Sequence, residues 1–117
     1  RERDWSPDEV GAKFWDGAAE DRIVALGMME RDPRLRLFGV ALEAIEHPMS
    51  PFEQYHALQV ASEMLERLDG DERDQLRSAV AALQEQRRFR ADGARAPLAE
   101  QIRNGLNAGP VRTAVRR

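Results

Sequence analysis

The first chemistry the chain offers is a pair of residues at a metal-ligand spacing. Glu53-Gln54-Tyr55-His56 sets a carboxylate and an imidazole three residues apart, on one face of any helix that carries them, as in carboxylate-bridged di-iron bundles. Such a centre needs a second Glu-x-x-His and two further carboxylates, and the sequence holds no second copy. Glu53 is also claimed by an expected helix cap, which leaves His56 as a packing or hydrogen-bonding residue. The other histidine, His47, stands beside Glu46 and near Glu43 at an expected helix C-terminus, where the macrodipole favours a protonated imidazole. Asp69-Gly70-Asp71-Glu72-Arg73-Asp74 opens like a calcium loop, but its twelfth position is Val80 and not a bidentate glutamate, so a turn with an N-cap explains it better.

Nucleophiles are scarce. There is no cysteine, so disulfides, thiolate metal sites and cysteine catalysis are excluded. Of the four serines, Ser6 and Ser50 precede prolines as caps, and Ser62 and Ser78 belong to no enzyme motif. No glycine-rich phosphate loop or nucleophile elbow occurs. Paired acids such as Asp8-Glu9 and Asp71-Glu72 fall in helix first turns, where they complement the dipole. We therefore expect no catalytic, cofactor or metal site.

Two segments could instead make contacts. Arg87-Arg88-Phe89-Arg90, followed by Arg95, Arg103, Arg112, Arg116 and Arg117, could neutralise phosphates while Phe89 stacks on a base. No recognition helix accompanies it and the chain is acidic overall, so a nucleic-acid partner is the secondary reading. Trp5, Phe14 and Trp15 lie together near the start, and tryptophan is enriched at the energetic centres of protein interfaces. Charge is divided along the chain: residues 1–74 hold 18 Asp/Glu against 9 Lys/Arg, and residues 75–117 hold 3 against 9. That asymmetry can steer a charged partner or favour head-to-tail self-association.

The elements that must position these groups are helical throughout. With 42% apolar and 33% charged residues, 117 residues suit one folded domain with its own core. Ser6-Pro7-Asp8-Glu9 and Ser50-Pro51-Phe52-Glu53 both match the capping box, and Asp32-Pro33 is a third helix start. Apolar spacing predicts helices over about 7–15, 18–31, 33–46, 51–68, 72–88 and 97–106. The third would bury Leu35, Phe38, Leu42 and Ile45. The fourth would bury Phe52, Tyr55, Leu58, Ala61, Leu65 and Leu68, and should lie antiparallel to the fifth. Residues 87–96 read as a loop. The expected fold is all-α: a compact bundle of five to six short amphipathic helices over residues 1–109, with 110–117 a flexible basic tail. The alternative is a HEAT-like stack of helix pairs, since Pro33 and Asp71 start helix pairs 38 residues apart. No apolar run reaches the roughly 18 residues of a membrane span, and Arg1-Glu2-Arg3-Asp4 is unlike a secretory leader, so the expectation is a cytoplasmic chain away from membranes. Among 18 basic side chains only Lys13 is lysine, a bias that points to a GC-rich genome.

The stretch from Met29-Glu30-Arg31-Asp32-Pro33-Arg34-Leu35 through Ala44-Ile45-Glu46-His47 to Ser50-Pro51-Phe52-Glu53-Gln54-Tyr55-His56-Ala57-Leu58 resembles a helical domain of actinobacterial multidomain proteins. It is similar there to the effector-associated adaptor domains of bacterial defence and signalling systems, over roughly residues 20–106. The resemblance implies a non-enzymatic module joining an effector to its sensor through homotypic or heterotypic protein contacts. It carries over no functional residue, because the matching positions are caps and core. The expected function is thus a protein–protein interaction or adaptor domain within a larger protein, contacting through Trp5, Trp15, Arg87, Arg88, Phe89 and Arg90.

Overall fold

The computed structural model describes residues 4–90 and 93–108, and the expected basic tail at 110–117 lies outside the described residues. Those residues form α1 (Pro7–Asp16), α2 (Ala19–Arg31), α3 (Phe38–Glu46), α4 (Pro51–Ser62), α5 (Gly70–Gln84), α6 (Arg87–Arg90) and α7 (Arg95–Ala108), with 3-10 turns at Pro33–Leu35 and Leu65–Arg67 and no strand.

The N-termini follow the caps. At α1, Glu9 N–H donates to Ser6 Oγ (3.1 Å) and Ser6 N–H to Glu9 Oε1 (2.9 Å), a complete capping box. A second complete box starts α5, where Asp69 and Glu72 exchange bonds of 2.8 and 3.1 Å, so this helix begins two residues earlier than its apolar spacing predicts. At α4 only half the expected box forms. Ser50 Oγ accepts from Glu53 N–H (3.0 Å), but the Glu53 carboxylate turns inward.

The C-termini of α2, α3, α5 and α7 are met by arginine side chains, whereas α1 ends at Gly17. Arg36 donates to Met29 O (2.7 Å) and Glu30 O (2.8 Å) at the end of α2. Arg22 reaches His47 O beyond α3 (3.4 Å), and Arg90 holds Gln84 O (3.1 Å) and Glu85 O (2.9 Å) at the end of α5. Arg73 binds Leu65 O (2.8 Å), Gly105 O (3.4 Å) and Leu106 O (3.2 Å), joining the second 3-10 turn to the end of α7, and Arg77 adds a bond to Leu106 O (3.4 Å). A guanidinium satisfies the orphan carbonyls and opposes the negative end of the helix dipole.

These contacts explain where helices break differently from the apolar spacing. Residues 33–46 do not form one helix: Asp32 accepts from Arg34 N–H (3.0 Å), tightening a 3-10 turn, and Arg36 and Leu37 are extended so that the Arg36 side chain can fold back on α2. The buried face of α3 is consequently Val40, Ala41, Ala44 and Ile45, while Phe38 and Leu42 are half-buried. Likewise residues 51–68 are not continuous. Ser62 Oγ bonds back to Gln59 O (2.7 Å) as α4 ends, and a 3-10 turn follows. The segment read as a loop contains α6, pinned by Phe89, which is 2% exposed.

Packing places α3, α4, α7 and α5 in a ring in which each helix meets the next, and α5 closes on α3. The expected antiparallel pairing of α4 with α5 is therefore replaced: these two lie across the ring, and both are covered by α3 and α7. The α1–α2 pair forms a second layer, with α2 on α4 and α1 on α3. Because α4 meets helices from both ends of the chain, this is the compact bundle and not a linear stack of pairs. Leu26, Met29, Ile45, Leu58, Leu76, Ile102 and Leu106 form the interior with Phe14 and Phe89. Gly105 lets α7 approach the second 3-10 turn, since a Cβ there would sit 2.6 Å from Leu65 Cδ1.

Candidate functional site

The Glu-x-x-His pair faces inward and is fully used. Glu53 is 0% exposed and accepts two bonds from one guanidinium, Arg22 Nε at 3.0 Å and Nη2 at 2.6 Å, with Met49 N–H adding a third at 3.3 Å. Arg22 in turn lies over the Phe14 ring, 4.2 Å from its centroid. About one turn of α4 further on, on the next rung of the same helix interface, His56 Nδ1 meets the Glu30 carboxylate near the end of α2, with the Phe52 and Tyr55 rings edge-on at 4.5 and 5.4 Å.

The two residues are thus successive clasps between α2 and α4, through the Glu53 carboxylate and His56 Nδ1. His47 is exposed and pairs with Glu43 one turn back (3.5 Å). Among the described residues no group of three or more His, Cys, Asp or Glu is arranged to hold a metal ion. No helix among them is long and apolar enough to cross a membrane.

The surface carries a second set of candidates. Trp15 is 54% exposed, packed only edge-on against Phe14 at 5.1 Å, and Phe52 is 58% exposed, with Met49 close behind at 57%. Spacing had assigned Phe52 to the core. Its place in the first turn of α4, ahead of the ring interior, leaves it outside instead. Trp5 is half-buried in an open cavity of about 320 Å³ with Met28, Leu35 and Arg31. Trp5 and Trp15, neighbours in sequence terms, are therefore two different environments: one a wall, the other a projection.

Around Trp15 the outward face of α1 presents Asp8, Ala12 and Asp16, and α2 adds Glu20 and Val24, all exposed. Beside them Asp21 accepts from Ala18 N–H (3.0 Å) and Lys13 Nζ (3.4 Å), which hold its carboxyl below the usual carboxylate range. Asp32 is lowered in the same way, first by the Arg34 side chain and then by the Arg34 N–H, and Arg34 is raised in return.

The basic segment divides into two roles. Arg87 and Arg88 are exposed, whereas Arg90 is tied to the α5 carbonyls and Phe89 is buried, so Phe89 cannot present a free face for stacking. Arg95 lies over the Phe89 ring (5.1 Å) and donates to Gln54 Oε1 (2.6 Å). Between α6 and α7 opens a cleft of about 360 Å³ lined by Gln84, Phe89, Arg90, Ala96, Glu100 and Arg103. Sequence reasoning named the segment but not the cleft, because the cleft exists only once α6 forms.

No family model, curated protein or solved structure matches this chain.

Proposed function

We propose that this chain is a non-enzymatic protein–protein interaction domain, an adaptor within a larger signalling or defence protein. The observation that supports the reading best is the exposure of Trp15 and Phe52, each more than half open to solvent on a body whose other large aromatics are packed. An exposed tryptophan ringed by charge has the make-up of an interface centre with a polar rim. The nucleic-acid reading is left with Arg87 and Arg88 from its core segment, since Phe89 and Arg90 are engaged in the fold.

A photocrosslinking residue at Ala12, exposed one turn before Trp15, tests the reading in cells that make the protein. Defined protein adducts that disappear with Trp15→Ala and Phe52→Ala are the expected result. Adducts unchanged by both substitutions would refute it.

A further inference from the structure

The opposed charges and the cleft identify a partner for the Trp15 face. Resting on the adaptor reading above, we propose that the partner is a second copy of this chain, bound head to tail, with Trp15 of one copy seated in the α6–α7 cleft of the next.

Three observations fit together. The projecting element is an indole with acids on either side: Asp8, Ala12, Trp15 and Asp16 recur at helical spacing on the exposed face of α1, and Glu20 follows across the two-residue turn into α2. The receiving element has the opposite character. Its cleft, about 360 Å³, is lined by Gln84, Ala96, the buried Phe89, Arg90, Arg103 and Glu100, the last paired with Arg103 (3.2 Å), and the exposed Arg87 and Arg88 stand on the adjoining turn, so its cations outnumber its one acid. An aromatic ring entering it meets guanidinium groups beside the Ala96 methyl, and a cation over the ring face favours indole. Asp16 and Glu20 then face Arg87 and Arg88, so charge sets the orientation.

Geometry sets the mode. The packing partners of α1 are α2, α3 and the first 3-10 turn, and those of α6 are α5 and α7, so the two faces belong to different parts of the bundle. Knob and cleft on one molecule cannot satisfy each other, and a contact between unlike faces is heterologous. It leaves one free knob and one free cleft at the ends of every open assembly, which therefore grows into a series of oligomers until it closes as a ring.

Light scattering and sedimentation velocity of the purified chain across a concentration series test this at about 50 mM and about 500 mM salt, where the screening length shortens severalfold. The expected result is a mass that rises with concentration and falls with salt. Trp15→Ala should weaken self-association by at least about thirtyfold, the size of an interface hot spot. Asp16→Arg is the second knob variant, an exposed change at the C-terminal residue of α1, where a cation suits the dipole and folding is undisturbed. Arg87→Glu with Arg88→Glu breaks the cleft side. Each variant alone should be monomeric, and a mixture of the Trp15→Ala and Arg87→Glu/Arg88→Glu chains should form a 1:1 dimer and stop, because each retains one intact face and the two altered faces do not complement each other.

A monomer under all conditions overturns the second-copy partner while the Ala12 crosslinks remain free to report a different protein. Oligomers that persist in the variants, or a closed symmetric dimer, overturn it as well.

Discussion

Replacing Glu53 by glutamine tests whether the Glu-x-x-His pair is structural. The substitution keeps shape and one acceptor but leaves Arg22, 7% exposed, with a positive charge and no counter-charge inside the α2–α4 interface. Removing one member of a buried ion pair costs about 3–5 kcal/mol, and a domain of this size has roughly 5–15 kcal/mol in all. With a urea slope of about 2 kcal/mol/M, the midpoint should fall by about 2 M. Arg22→Met should cost a similar amount, since it strands the Glu53 carboxylate and releases His47 O. The double variant Arg22→Met with Glu53→Gln should be less damaging than the sum of the singles by at least about 2 kcal/mol, because neither charge is then left alone. Urea unfolding followed by circular dichroism measures all four proteins. Single variants costing under about 1 kcal/mol, or a double variant that is merely additive, would refute the assignment of Glu53 to this clasp.

Arg73→Met should cost about 2–3 kcal/mol, because Leu65 O and Gly105 O lose a charged donor in a partly buried place. Hydrogen exchange should show the loss concentrated in the last turn of α7, with Arg77→Met much milder. The pH dependence follows from Asp21 and Asp32, whose folded-state carboxyls are held low. A depressed acid contributes stability that is present above the unfolded value of about 4 and is lost as pH falls through the folded one. Asp21→Asn with Asp32→Asn should therefore lower stability at neutral pH and flatten its decline below about pH 4; a decline parallel to the parent would contradict the assignment.

Helix starts were legible in the sequence because their signals are local. Ser6-Pro7 and Ser50-Pro51 put the cap and the fixed φ angle next to each other, and α1 and α4 begin there. Helix ends were not, because the groups that close them come from elsewhere in the chain: Arg36 reaches α2 and Arg73 reaches α7, 32 residues away at Gly105. A side chain recruited over that distance leaves no pattern near the end it caps. Similar reasoning separates the site residues. The exposure of Trp15 agrees with a contact role assigned from residue type, while Phe89 was misplaced because an arginine on each side made a buried aromatic look like a surface one. Arg90 completes that turn by bonding backward, and only then does Phe89 face the core.

The use of arginine inside the fold also bears on which charges stay outside. Among residues 1–74, Arg22 and Arg73 are buried and the Arg36 side chain is 11% exposed, all three directed at carbonyls. Their positive charge is drawn toward helix ends and, for Arg22, cancelled by Glu53. The outward face of the same half keeps Asp8, Asp16 and Glu20. In the other half Arg87 and Arg88 stay outside, while Arg77 and Arg90 bond carbonyls at helix ends. The field from what remains outside keeps the opposite signs of the two faces, and it acts over about a Debye length, 8–10 Å at physiological salt. That reach is enough to orient an approaching surface before Trp15 makes contact, which is why salt should act first on the rate of association and Trp15→Ala first on its lifetime.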